Sequence, residues 1–155
     1  MSIIKSATLE NRAIPSLDNP AIASAVCLLG RLMIVAIFFI SGIGKITAPT
    51  ATMTYITSLG LPFPQIGLAI GSLVELVGAT ALVLGYRTRW VAAVLAIYCV
   101  ATAILVHHHF LDPNQFLHFF KNVAMAGGLL QVVVFGAGRF SWDARSHLRL
   151  KSEEQ

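Results

Sequence analysis

The sequence has few charged residues for its length, which argues against a soluble globular domain. Charged side chains make up 12% of the 155 residues, and hydrophobic side chains make up 56%. A soluble domain carries roughly 25% charged residues, because it must present solvated groups over its surface. The mean hydropathy of +0.76 leads to the same interpretation. We therefore expect a protein whose outer surface contacts lipid.

Cysteines and recognisable catalytic motifs are also scarce. The two cysteines, Cys27 and Cys99, lie inside apolar runs and form no CxxC pair. We interpret both as small buried hydrophobes and not as a disulfide. No G-x-S-x-G, P-loop or G-x-G-x-x-G pattern is present, so acyl transfer and nucleotide binding have no support. No basic stretch interleaved with aromatic residues remains to indicate a nucleic-acid partner.

Four long apolar runs are what the sequence does contain. A membrane-spanning helix needs about 20 mostly apolar residues, and lipid leaves a helix as the way for an open chain to satisfy its backbone. The runs lack the period of two that is typical of strands. They cover residues 27–46, 66–85, 90–106 and 119–136. We predict an all-α, integral membrane four-helix bundle. Residues 50–59 form either a short surface helix or an ordered polar loop.

The flanks of these runs predict the domain limits and the orientation. We expect a disordered N-terminal tail at 1–20, a four-helix membrane domain at 21–138 and a cytoplasmic C-terminal tail at 139–155. Lysine and arginine are concentrated on the side of both termini, so the positive-inside rule places both termini in the cytoplasm of a bacterial inner membrane. Arg31, one turn inside that edge, is expected to reach headgroups by snorkelling.

Ionisable residues inside the runs are candidates for function, because a charge at the centre of a bilayer costs about 2.5 to 3.5 kcal/mol. Glu75 lies near the middle of the second run. Lys45 and Lys121, near the outer ends of neighbouring runs, are long enough to bend towards it. The resulting contact is either a structural ion pair or a ligand-binding and proton-handling site, and the residues alone leave both interpretations open.

Three runs each carry one stripe of small and polar residues, and we expect these stripes to meet. Ser41 and Lys45 are four residues apart and share a helix face. The other stripes contain Gly71, Glu75 and Gly78 on the second run, and Lys121, Asn122, Met125 and Gly128 on the fourth. Small residues in such stripes let a helix or a flat ligand approach closely.

Histidines cluster after the third run. His107, His108 and His109 are consecutive, so on a helix they would point about 100° apart and would not bind one ion together. We therefore predict no metal site, and expect one of these histidines to face the bundle near the lysines, or else to lie among headgroups. The predicted ligand-binding residues are Ser41, Lys45, Glu75, His107, His108, Lys121 and Asn122.

These motifs resemble the DoxX family of small bacterial membrane proteins, which is related to the DoxD subunit of thiosulfate:quinone oxidoreductase. The matching segments are GRL at 30–32, SGIGK at 41–45, GLP at 60–62, ELVG at 75–78, LGYRTR at 84–89 and KNVAMAGG at 121–128. Their order and spacing extend over most of the chain. The resemblance implies a four-helix inner-membrane protein that is linked to redox processes or quinones.

Two functions from different classes follow. The first is a subunit of a membrane oxidoreductase, or a binding protein, that holds a quinone-like or other small hydrophobic molecule in a polar pocket and works with a redox partner. The alternative is a non-enzymatic scaffold of a larger membrane complex, in which the charges form a structural network. A small transporter is less favoured, because no discontinuous helix is evident. Self-association as a homodimer is a further expectation.

Overall fold

A computed structural model describes residues 19–146, and every regular element within them is helical. The helices are α1 (Pro20–Thr47), α2 (Pro49–Ser58), α3 (Pro64–Leu84), α4 (Thr88–Val106) and α5 (Pro113–Phe135). All except α2 are long and apolar enough to cross a membrane. The predicted all-α fold with four membrane-spanning helices is therefore confirmed. Residues 1–18 of the predicted disordered N-terminal tail and residues 147–155 of the predicted cytoplasmic C-terminal tail lie outside the described residues.

Proline marks the first residue of α1, α2, α3 and α5, and it explains where the predicted limits were wrong. Proline costs no hydrogen bond at that position, because the first N–H groups of a helix have no partner inside it. The Asn19 side chain caps α1 by accepting a bond from the Ala21 N–H, and Asp112 caps α5 in the same way. Consequently α1 begins at Pro20 instead of residue 27, and α5 begins at Pro113 instead of residue 119.

The segment between the first and second spans is the helix α2 and not an ordered loop, which decides between the two sequence-based interpretations. None of its residues is buried, and the helix packs against α3. Phe63, between two prolines, follows with a left-handed backbone (φ 55°) and leads into α3. This loop and α2 cover one end of the bundle.

The four long helices form two close pairs, α1 with α3 and α4 with α5, and α3 joins the pairs through α4. Gly42 allows the first close approach, because a Cβ there would lie 2.8 Å from the Leu76 side chain. Gly78 allows α4 to approach α3 in the same manner, with Leu95 at 2.9 Å. We call the end where α1 and α4 finish the loop end, and the end where they begin the terminal end.

Arg31 at the terminal end is buried, with 1% of its surface exposed, so the prediction that it snorkels to headgroups was wrong. Its Nη1 donates to the Leu82 carbonyl at 2.9 Å, and its Nη2 donates to the Phe140 carbonyl at 2.7 Å. These carbonyls belong to the end of α3 and to the segment after α5. Because helix ends leave carbonyls with few partners, a guanidinium placed there supplies donors to them, in addition to the Gly85 N–H that also bonds the Leu82 carbonyl.

Residues 139–146 pack against the terminal end of the bundle. The Asp143 carboxylate accepts bonds from the Arg87 and Thr88 N–H groups, both at 2.8 Å, and so caps the start of α4. Ser141 is buried beside Gly85, whose φ of +69° favours glycine. This segment therefore joins the α3–α4 turn to the first helix.

The two cysteines occupy different surroundings. Cys99 on α4 is fully buried in the core, as predicted, whereas Cys27 on α1 is exposed. The prediction for Cys27 was wrong, because an apolar run that faces lipid needs no protein burial to keep a small hydrophobe out of water.

Candidate functional site

A partly buried ion pair between α1 and α3 forms the centre of the candidate site. Glu75 is 4% exposed, and its carboxylate oxygens lie 2.7 and 2.8 Å from the Lys45 ammonium. Lys45 also donates to the Ser41 hydroxyl at 2.7 Å, as their spacing of four residues on one helix face allows. Ser41 in turn donates to Glu75 at 3.1 Å. Three of the predicted site residues therefore meet.

Tyr98 on α4 completes this cluster, and the sequence analysis missed it. Its hydroxyl donates to a Glu75 carboxylate oxygen at 2.8 Å. The signal that would have indicated it is a single tyrosine within the otherwise apolar third run, because a buried phenol needs a hydrogen-bond partner. Glu75 thus accepts bonds from three side chains on two other helices, so its buried carboxylate oxygens have partners within the protein.

Gly71 makes the space in which these side chains meet. A Cβ at this position would lie 3.3 Å from the Tyr98 hydroxyl oxygen and 3.4 Å from the Lys45 Cε. Since both contacts are tight, a larger side chain would displace either the phenol or the lysine. Gly71 therefore leaves room for the side chains of the cluster and does not mediate a contact between helix backbones.

A cavity of about 850 Å³ lies beside the cluster, towards the loop end. All five helices contribute to its walls, and α2 and the Phe63 loop border it. The lining is mostly apolar, and Phe38, Ile70, Leu105 and Met125 are among its members. Pockets for small hydrophobic molecules have this size and character, with a few polar groups that orient the ligand.

Polar groups on α5 form a second polar wall in the cavity. The Lys121 ammonium lies 2.9 Å from His118 Nδ1, and the Asn122 amide donates to the His118 carbonyl at 2.9 Å. An ammonium is a donor only, so Nδ1 must accept and a neutral His118 carries its proton on Nε2. The sequence analysis expected Lys121 to reach Glu75. Instead, the Lys121 ammonium contacts His118.

His107 lies at the end of α4 and contacts both the α5 wall and α2. Its Nδ1 lies 2.7 Å from Gln115 Oε1, and Gln115 in turn donates to the Tyr55 hydroxyl at 3.0 Å. Its ring centre lies 5.1 Å from that of His118. Burial, together with the charges of Lys121 and Lys45, lowers the pKa of His107 below its ordinary value. The ring is therefore neutral at pH 7.

The cavity includes every predicted site residue except His108. Ser41, Lys45, Glu75, His107, Lys121 and Asn122 line it, whereas His108 is exposed and stacks on His109 with ring centres 4.2 Å apart. The expectation that one histidine of the triplet faces the bundle near the lysines is met by His107. Within residues 19–146, no three histidine, cysteine, aspartate or glutamate side chains are grouped to hold a metal ion.

A comparison with known proteins identifies the family. The DoxX family model matches residues 26–108. The chain belongs to the DoxX family. Its match to the family model includes Ser41, Lys45, Glu75 and Tyr98, whereas the α5 wall with Lys121 follows the matched residues.

Two relatives agree with this DoxX assignment. Inner membrane protein YphA of Escherichia coli (strain K12) is 34% identical over 134 residues, which are 83% of this chain and 95% of the relative. Inner membrane protein YqjF of the same organism is 34% identical over 116 residues, which are 75% of this chain and 88% of the relative. No solved structure matches. With four helices of spanning length, this DoxX protein is a multi-pass inner-membrane protein.

Proposed function

We propose that this DoxX protein binds a small hydrophobic molecule with a hydrogen-bonding head, of the quinone type, in the loop-end cavity. The observation that carries the proposal is the juxtaposition of a mostly apolar cavity with the Lys45–Glu75–Tyr98 cluster in one wall. An apolar ring and tail fit the hydrophobic lining. The head then lies against the polar groups.

The polar groups suit the carbonyl oxygens of such a head. Lysine, tyrosine and asparagine side chains donate hydrogen bonds, and Lys45, Tyr98, Lys121 and Asn122 all line the cavity. Reduction of a quinone also requires protons. Glu75 and His107 are groups of the kind that transfer them, since carboxylates and imidazoles act as general acids and bases.

The redox part of the proposal rests on the family resemblance. The described residues contain no group that carries electrons by itself, so a partner protein or a bound cofactor would supply them. We also propose the orientation with both termini in the cytoplasm, because lysine and arginine are enriched at the terminal end. The cavity then opens in the outer half of the membrane.

One observation favours the scaffold as a second candidate. The Lys45 ammonium has three acceptors and the Glu75 carboxylate three donors within the protein, so the pair is satisfied without a ligand. A structural pair that holds α1 against α3 would have the same hydrogen bonds. The cavity beside it would then be filled by lipid.

Purification in mild detergent, followed by extraction and mass spectrometry of bound molecules, distinguishes the two candidates. We expect a quinone or a related molecule to accompany the wild-type protein and to be lost from Glu75→Gln and Lys45→Met. Gly30→Ala is the matched control, because no atom lies within 4 Å of a Cβ there. Wild-type protein without any such molecule, with both variants merely less stable, would support the scaffold.

A further inference from the structure

The cavity walls carry more positive than negative charge. Two lysines, Lys45 and Lys121, line the cavity, and Glu75 is the one carboxylate among its lining residues. Glu75 is fully engaged with Lys45 and its neighbours. We propose that the cavity selects ligands with an anionic head group, and that Lys121, which His118 positions, holds this head. The inference rests on the proposed function and names the class of ligand.

The two lysines differ in how well the protein satisfies them. Lys45 donates to the Ser41 hydroxyl and to both oxygens of Glu75, so each of its three donors has an acceptor. Lys121 carries the same three donors, but within residues 19–146 its one hydrogen-bond acceptor is His118 Nδ1. Two donors of Lys121 are therefore available to a ligand.

No acidic side chain balances Lys121. Within the described part of the chain, no carboxylate lies within 4.0 Å of its ammonium. Asp112, the acidic residue nearest to it in sequence, caps α5 through the Asn114 N–H and is not among the lining residues. An unpaired ammonium in a membrane protein is unfavourable, so a negative charge supplied by a ligand stabilises it more than a neutral oxygen does.

The arrangement also indicates the form of the head. Because the neutral His118 ring accepts from Lys121 through Nδ1, it fixes the position of the ammonium and leaves two of its N–H groups as donors. A carboxylate, a phosphate or an ionised hydroxyl of a hydroxyquinone offers oxygens to these two donors. The rest of the cavity is mostly apolar, so the anion is the head of a hydrophobic molecule and not a free inorganic ion.

A matched pair of probes tests this selectivity on the purified full chain in detergent at neutral pH. The first probe is a long-chain alkyl hydroxynaphthoquinone, which is ionised at that pH, and the second is its O-methyl ether, which is neutral. We expect the wild type to bind the ionised probe about tenfold more tightly, as for a hydrogen bond to a charged group. Palmitate and methyl palmitate, as competitors, show whether a fatty acid satisfies the same site.

Three variants assign the selectivity to the α5 wall. Lys121→Met should abolish the preference for the ionised probe over its neutral ether, whereas Lys121→Arg should retain it. His118→Gln should reduce the preference, and serves if Lys121→Met does not fold. Arg89→Met removes an exposed positive charge at the terminal end and should leave the preference as in the wild type.

The outcomes separate the inference from the function on which it rests. Equal affinity for the ionised probe and its ether would overturn the anionic selectivity while binding of a hydrophobic ligand stands. A preference that survives in Lys121→Met would overturn the assignment to this lysine. If neither the quinone pair nor the fatty-acid pair binds, the proposed function fails with it. Competition by palmitate and not by its ester would support an anionic head of the fatty-acid kind.

Discussion

Each end of the bundle holds a positively charged side chain, fully buried for Arg31 and partly buried for Lys45, and satisfies it differently. At the terminal end, Arg31 donates to backbone carbonyls of residues 82, 83 and 140, and packed side chains such as Leu82 and Leu95 surround that end of the core. At the loop end, Lys45 donates to side chains and borders a cavity. A cation bound to the backbone stabilises the fold, whereas Lys45, whose donors are satisfied by side chains, borders the space in which the proposed ligand would lie.

Removal of the Arg31 guanidinium should have the largest effect on stability. Arg31→Met removes a donor from three carbonyl oxygens at the terminal end, of which the Leu82 oxygen keeps the Gly85 N–H, so we expect a loss of about 3 kcal/mol or more in the free energy of unfolding. Unfolding of the detergent-solubilised protein by a denaturing detergent measures it. Arg89→Met, an exposed arginine at the same end, should change stability by less than about 0.5 kcal/mol. Similar losses in both variants would remove the distinction between buried and exposed arginine.

Substitution of one glycine at each end should affect stability differently, because Gly85 has a positive φ and crowded surroundings, whereas Gly71 contacts only the ends of side chains. Gly85→Ala introduces a Cβ at φ +69° that would contact Ser141 and approach the Arg31 Nη1 to 2.9 Å, so we expect a loss of about 2 kcal/mol. Gly71→Ala at the loop end displaces only side-chain ends. It should cost less than about 1 kcal/mol but weaken ligand binding. Thermal unfolding and probe binding of both variants check this, and equal destabilisation would contradict it.

Tyr98→Phe should have a smaller effect, confined to the loop end. It removes one of the donors to Glu75 and leaves the ring in place, so we expect a loss of about 1 kcal/mol. The affinity for a neutral quinone should fall as well, as measured by equilibrium titration of the purified protein with that quinone. Tyr86→Phe, an exposed tyrosine at the terminal end, is the control. An unchanged affinity in Tyr98→Phe would place the ligand head away from this cluster.

Acid should produce the smallest effect, and again at the loop end. The pKa of His107 is lowered by burial and by Lys121 and Lys45, so the folded protein favours the neutral ring. The stabilisation that this gives is present above the ordinary value of 6.5 and is lost as the pH falls through it towards the folded value. Stability measured from pH 7 to pH 5 should therefore decline less in His107→Gln than in the wild type. If the stability of both proteins declined equally with falling pH, His107 would not be the group responsible.

The fold was predictable because lipid imposes a simple requirement on each span, and apolar length alone meets it. The helix starts were not predicted, because the apolar runs begin at residues 27 and 119, whereas the helices begin several residues earlier at Pro20 and Pro113, where proline is favoured. The Ser41–Lys45–Glu75 contact followed from helical spacing and the cost of charge in lipid. The contact of Tyr98 with Glu75 was not predicted. A single tyrosine in an apolar run indicates a phenol that needs a hydrogen-bond partner, but it does not indicate which helix supplies that partner.

Arg31 illustrates a different limit of sequence reasoning. Its position near the edge of a span is equally consistent with headgroups and with burial. The deciding partners are backbone carbonyls at residues 82 and 140, and carbonyls leave no mark in a sequence. The contact of residues 139–146 with the bundle could not be predicted for the same reason. Asp143 is the exception, because it makes this contact through its side chain, whose carboxylate caps α4.

The partners of Arg31 also have a consequence for how the chain is made. A ribosome delivers residue 31 long before residues 82 and 140, so the first span enters the membrane with a cation that has none of its final acceptors. Until the third helix and the segment after the last span arrive, this arginine must stay hydrated at the water boundary. Its burial therefore completes assembly, and a nascent chain that stops before Phe140 would leave the entry of the first helix unfinished.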